Sequence, residues 1–216
     1  MNRVIKVCGI QNANEALGAI EAGANTIGLL LGVPEYVEDN ITPEIAKQIV
    51  ASVPESVRTV MVTHLLDVNE IIKIANYTGV SAIQVHNDLS TSDMEQLRIK
   101  VPELEIIKAI HVMDNTAIEQ AKMYEPYFDM ILLDTKTKDR IGGTGQTHDW
   151  NISQRIVKEI IIPVILAGGL NPQNIKEAII KVKPSGIDAN SGLEHCDGSK
   201  DFEKIKLFAR EAGLLF

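Results

Sequence analysis

The sequence predicts a single-domain (β/α)8 TIM barrel of the α/β class. Three observations carry that expectation. Short β-rich runs alternate with helical patterns eight times along the chain. Its 216 residues suffice for one such barrel, near the lower size limit. The last two strand-like runs each end in a glycine turn: Val164-Ile165-Leu166-Ala167 leads into Gly168-Gly169-Leu170-Asn171-Pro172, and Ile187-Asp188-Ala189 into Asn190-Ser191-Gly192. Glycines after a buried strand let backbone N–H groups approach a ligand closely, and the positive end of a following helix favours an anion. Paired turns after the last two strands are where such barrels hold phosphate.

Strands are expected at residues 3–8, 25–31, 57–64, 81–86, 105–110, 128–134, 163–167 and 186–190. Helices are expected at 12–22, 42–51, 67–76, 91–99, 115–124, 152–160, 172–182 and 199–212. Several begin with residues that cap free N–H groups: Thr42-Pro43-Glu44, Asp67-Val68-Asn69-Glu70 and Ser90-Thr91-Ser92-Asp93. An open doubly wound sheet would alternate in the same way, but eight complete units closing on two glycine turns favour the barrel. No linker or charge block marks a second domain, so 1–216 reads as one unit. The longest irregular connections, 32–41 and 135–151, exceed ordinary loop lengths and are candidates for function.

A net charge of −8 excludes nucleic acid as the expected partner, because phosphate backbones need a basic face. It leaves open a small phosphorylated ligand held by backbone amides. The N-terminal stretch has no long apolar region, and no run approaches the roughly 18 apolar residues of a membrane span. Two cysteines, Cys8 and Cys196, are too few for a disulfide scaffold. A cytoplasmic protein without membrane partners is expected. The five histidines show no His-x-x-His spacing and the cysteines no Cys-x-x-Cys, so no metal is expected.

Chemistry in a barrel of this kind sits where the strands end. Ionisable or strongly polar groups gather there: Lys6 and Cys8 on strand one, His64 on three, Gln84 and His86 on four, Lys108 and His111 on five, Asp134 on six and Asp188 on eight. Cys8 and Asp134 stand on different sides of the mouth, where a base and an acid could share a small ligand, as a 1,2-proton shift requires. A lone cysteine at a strand end also fits a small buried hydrophobe. As a base it needs a lowered pKa, which a nearby cation can supply. Lys6 lies on the same face as Cys8, and strand eight neighbours strand one on closure, so Lys6 and Asp188 are expected to pair inside the barrel.

Lys6-Val7-Cys8-Gly9-Ile10, Gln84-Val85-His86, Leu132-Leu133-Asp134-Thr135-Lys136 and Gly142-Gly143-Thr144-Gly145 resemble the phosphoribosylanthranilate isomerase family of tryptophan biosynthesis. So do His148-Asp149-Trp150, Ala167-Gly168-Gly169-Leu170-Asn171-Pro172, Asp188-Ala189-Asn190-Ser191-Gly192 and Lys200-Asp201, in family order across nearly the whole chain. The resemblance implies a cofactor-free Amadori rearrangement of a small phosphorylated sugar amine, by a monomer or homodimer. Asp134 would be the general acid on the furanose ring oxygen and Cys8 the base at C2. Gly168, Gly169, Asn190, Ser191 and Gly192 would hold the phosphate, with Gly143 and Gly145 in a closing loop. Lys6, Gln84, His86, Arg140 and Asp188 would line the rest of the substrate site.

The chain departs from the family pattern on one rim. Where the family carries a Ser-x-Arg element whose Arg pairs with the anthranilate carboxylate, residues 32–40 hold no basic residue and three acids, Glu35, Glu38 and Asp39. His64 replaces a usual Phe, and Asn87 and Asn190 replace Gly and Ser. Either another group, with His64, His86 and Arg140 the candidates, receives the carboxylate, or the chain acts on a different phosphoribosyl amine. A non-catalytic phosphosugar-binding barrel is the third reading.

Overall fold

The structure, a computed structural model, describes residues 3–34, 37–137, 140–141 and 147–215. Calls on Glu35, Gly142, Gly143 and Gly145 lie outside these residues. Eight parallel strands close into a barrel: β1 (Val4–Val7), β2 (Thr26–Leu30), β3 (Arg58–Thr63), β4 (Ala82–Val85), β5 (Glu105–Val112), β6 (Met130–Thr137), β8 (Val164–Leu166) and β9 (Gly186–Ala189). They pair in that order, β5 with β6, β6 with β8 and β9 back to β1. Eight helices form the outer ring: α1 (Ala13–Glu21), α2 (Pro43–Ser52), α3 (Val68–Thr78), α4 (Thr91–Lys100), α5 (Thr116–Tyr124), α6 (Trp150–Glu159), α7 (Ile175–Val182) and α8 (Phe202–Gly213). Among the described residues no helix is long and apolar enough to cross a membrane.

The capping chemistry read from the sequence is what starts the helices. Thr42 accepts from the Ile45 N–H with Pro43 in the first turn, Asp67 accepts from Asn69, and Ser90 from Asp93. Strand parity then divides the core in two. Val7, Ile27, Leu29, Met61, Ile83 and Leu133 face outward under the helices, while Val60, Val62, Ile107, Leu132 and Ile165 fill the barrel interior. The apolar interior is narrow, and its upper end gives way to polar side chains.

Element bounds differ from the sequence expectation chiefly at β6. It runs three residues past the expected end at 134, because its tip pairs antiparallel with a short strand, β7 (Arg140–Ile141), Lys136 opposite Ile141 and Thr137 opposite Arg140. The expected irregular connection 135–151 is therefore a hairpin at its start. At its end, Asp149 accepts from the Asn151 N–H, and α6 begins two residues earlier than expected. Likewise Asp201, accepting from Glu203 and Lys204, sets the start of α8 three residues later.

Candidate active site

The inward-facing positions at the C-terminal ends of the strands bring together most of the residues singled out from the sequence. Lys6 is fully buried, and its Nζ donates to Asp188 Oδ2 at 2.8 Å, residues directly opposite in the β1–β9 register. The expected pair is present. Desolvation pulls the Lys6 pKa down, but the charge of Asp188, with a smaller contribution from Cys8, outweighs it and leaves the ammonium raised and firmly charged. Asp188 Oδ1 has no hydrogen-bond partner among the described residues.

Cys8, one step above Lys6 on the same face, is buried. Burial pushes its thiol up to about 11, against a lowering contribution from Lys6. The lowered pKa that a basic thiol needs is absent in the free site, because desolvation exceeds the attraction of the neighbouring ammonium. On the opposite side, Asp134 Oδ1 accepts from its neighbour's backbone, Thr135 N–H, at 2.7 Å. Burial pushes Asp134 up to about 6; the Thr135 N–H opposes this, Asp188 adds to it and Lys6 opposes it. Both groups thus feel the same central ion pair. Sequence reasoning missed Gly28 on β2. A Cβ there would stand 2.7 Å from Cys8 Sγ and 3.1 Å from Lys6 Nζ, so the glycine makes room for both side chains. A lone glycine inside an apolar strand was the available signal.

The two glycine turns interlock. Gly168 and Gly169 adopt left-handed backbone, φ 81° and 68°, which glycine tolerates without strain. A Cβ on Gly168 would lie 2.2 Å from Thr135 Oγ1, and one on Gly192 2.1 Å from the Leu170 carbonyl oxygen. These glycines therefore serve the packing of β6, the β8 turn and the β9 turn on one another, in addition to any ligand. Asn174 donates to the Gly169 carbonyl and accepts from the Asn171 N–H, pinning the first turn. In the second, Ser191 opens a short 3-10 turn, Ser191–Leu193. The Asn190 side chain is already engaged, donating to Asp39 Oδ2 at 2.7 Å and accepting from Lys200 Nζ. Thr135 Oγ1 also meets His148 Nδ1 at 2.9 Å, and His148 Nε2 meets Ser153 Oγ, a buried polar chain that fixes the tip of β6.

A model of the N-(5'-phosphoribosyl)anthranilate isomerase family matches residues 5–211. The chain belongs to that family. N-(5'-phosphoribosyl)anthranilate isomerase 2 of Methanosarcina mazei is 42% identical over 210 residues, 96% of this chain and 93% of that one. Among solved structures, phosphoribosyl anthranilate isomerase from Thermotoga maritima superposes with a TM-score of 0.86 at 31% identity, covering 98% of each chain. A phosphoribosyl anthranilate isomerase in complex with reduced 1-(o-carboxyphenylamino)-1-deoxyribulose 5-phosphate does so with 0.83 at 29% identity, again over 98% of each chain. The enzyme class is thereby an aldose–ketose isomerase of tryptophan biosynthesis.

The rim on which this isomerase departs from the family pattern has its own order. Asp39 faces the β1 and β9 side, held by Gln11 Nε2 at 3.0 Å and by Asn190, and Glu38 is exposed. Asn87 donates to the His64 carbonyl, so two of the departing residues fasten β3 to β4. The His64 and His86 rings stack at 4.9 Å with 11° between planes, and His111 tilts against His86 at 5.7 Å. Gln84 Nε2 contacts His86 Nε2 at 2.7 Å. Lys108 turns to the outer face beneath Tyr124, where it donates to the carbonyls of His86, Asn87 and Ala109 and pairs with Asp88. Arg140 stands in β7, opposite Thr137.

Proposed function

We propose that this chain converts N-(5-phosphoribosyl)anthranilate to 1-(2-carboxyphenylamino)-1-deoxyribulose 5-phosphate, with Asp134 as general acid and Cys8 as general base. The observation that carries the assignment of roles is the placement of Cys8 and Asp134 on either side of one buried ion pair, Lys6–Asp188, to which both are electrostatically coupled. Asp134 gives its proton to the furanose oxygen as the C1–O bond breaks and the nitrogen lone pair forms a C1=N iminium. Cys8 thiolate then removes the C2 proton, yielding an enolamine that tautomerises to the ketone. The oxidation at C2 is matched by reduction at C1, so the reaction needs no external redox partner.

A carboxyl raised to about 6 retains roughly a tenth of its proton at pH 7, a useful acid for this step. The thiol at about 11 is almost wholly protonated in the free enzyme. Lys6 and the positive iminium both favour the thiolate; the thiol proton passes to solvent as the iminium forms, and Asp134, left ionised by the first step, takes a proton back from solvent. The phosphate is held by backbone amides around Gly168-Gly169 and Ser191-Gly192, with Gly143 and Gly145 in a closing loop. Lys6, Gln84, His86, Arg140 and Asp188 line the remainder of the site. The enzyme works in the cytoplasm, as monomer or homodimer, without nucleic acid or membrane as partner.

Purified enzyme supplied with phosphoribosylanthranilate should form the ketose. Cys8→Ala and Asp134→Asn should each lower kcat at least ~100-fold, within the range for such groups. Their affinity for the reduced product analogue should stay within a few-fold. Near-full turnover by Cys8→Ala would overturn the base assignment. A folded wild type that binds the analogue but converts none of the substrate would overturn the substrate and leave another phosphoribosyl amine.

A further inference from the structure

We propose that the stacked His64–His86 pair receives the carboxylate of the substrate's aromatic group, in place of an arginine; this rests on the function proposed above. In the eight-stranded ring, β3 lies four positions from β8, and β4 four positions from β9. The histidine pair therefore stands diametrically across the mouth from the two glycine turns. A ligand anchored by its phosphate at those turns and extended over Cys8 and Asp134 brings its aromatic end to these rings.

The local chemistry suits that end. Gln84 is 1% exposed, and its amide donates to His86 Nε2, which leaves the imidazole proton on Nδ1. That Nδ1 is buried and has no hydrogen-bond partner among the described residues, as is true of Gln84 Oε1. Two unmet polar atoms on one buried pair are costly unless a ligand meets them. His64 lies partly open beside it, its ring nearly parallel to that of His86 in the stack, and offers a face for a further ring.

The lysines whose charge reaches the pair are committed: Lys6 is held by Asp188, and Lys108 by Asp88 and three carbonyls. His111 borders the pair from β5. Burial, with Lys108 behind His64 and with His64 and His111 beside His86, holds both imidazoles below their ordinary pKa. They meet the carboxylate as neutral N–H donors in the free site, and a bound anion favours their protonation.

The test compares two reduced analogues, 1-(o-carboxyphenylamino)- and 1-phenylamino-1-deoxyribulose 5-phosphate, by calorimetric titration. Wild type should prefer the carboxylated one by about 10- to 100-fold, the range for a hydrogen bond to a charged group. His86→Phe and His64→Phe should each cut that preference at least fivefold and raise KM more than they lower kcat. Both should still bind the uncarboxylated analogue within about threefold of wild type. His64→Phe alone decides the matter if His86→Phe does not fold. An unchanged preference in these variants, or its loss in Arg140→Ala instead, overturns the inference while leaving the isomerase reading intact. Failure of wild type to convert phosphoribosylanthranilate would instead count against that reading.

Discussion

Removing Lys6 should separate what the central ion pair does for folding from what it does for catalysis. In Lys6→Met, Asp188 Oδ2 loses the ammonium that meets it at 2.8 Å, while Oδ1 lacks a partner among the described residues, on a residue only 6% exposed. An uncompensated buried charge of this kind costs about 3–5 kcal/mol. Asp188→Leu should cost a similar amount by stranding the ammonium. The double variant Lys6→Met/Asp188→Leu replaces both charges with apolar volume and should recover most of the stability, giving a coupling near 3 kcal/mol or more. Catalysis should not recover, because Lys6 contributes most to lowering the Cys8 thiol, and each unit by which that pKa rises leaves tenfold less thiolate. Urea denaturation of all four proteins, with kcat/KM on the same samples, reads both quantities. Either single variant within 1 kcal/mol of wild type, or a double variant of wild-type activity, would refute the reasoning.

Two further outcomes are expected. Asp134 is raised from 3.8 to about 6 in the folded protein, so the fold binds its proton more tightly than the unfolded chain does. Its contribution is full below pH 3.8 and is lost as pH rises through 6, roughly 3 kcal/mol in all. Asp134→Asn should therefore gain stability relative to wild type between pH 4 and 7 by about that amount; a pH-independent difference in denaturation midpoints would contradict the burial of the carboxyl. Gly168→Ala meets Thr135 at 2.2 Å on top of a left-handed φ and should lose about 2–4 kcal/mol. Gly198→Ala, with φ 84° but open space around it, should lose only about 1 kcal/mol, and equal losses would show that strain rather than contact dominates.

The barrel was legible because its signals are local. Caps such as Thr42-Pro43 and Ser90 with Asp93 mark helix starts whatever the tertiary context, and alternation along β1 and β9 put Lys6 and Asp188 on one inner face before any distance was known. Features that depend on distant neighbours were not legible. The tip of β6 is strand only because residues 140–141 fold back on it. The side-chain amide of Asn190 meets Asp39, 151 positions away, a contact that no local pattern announces. Alternation along β5 puts Lys108 on the outer face with Ile106 and Ile110, but the Tyr124 ring that covers it comes from another element. A basic Cys8 needs a cation beside it, and the cation is there; the depth of burial that overrides it is a property of the assembled mouth.

The bond between Lys6 and Asp188 also bears on how the barrel comes together. Its partners are 182 residues apart, on the first strand and the last. While the last strand is missing from the ring, β1 is an edge and the Lys6 ammonium keeps its water. Docking β9 removes that water and supplies the carboxylate in the same event. A β-strand with apolar surface but no acid at this position would seal the ring over an unpaired charge. The pair therefore acts as a check on closure, favouring β9 over any other strand at the seam and penalising partial barrels that end early. Closing a loop of that length carries an entropic cost, and chains rich in such contacts fold more slowly.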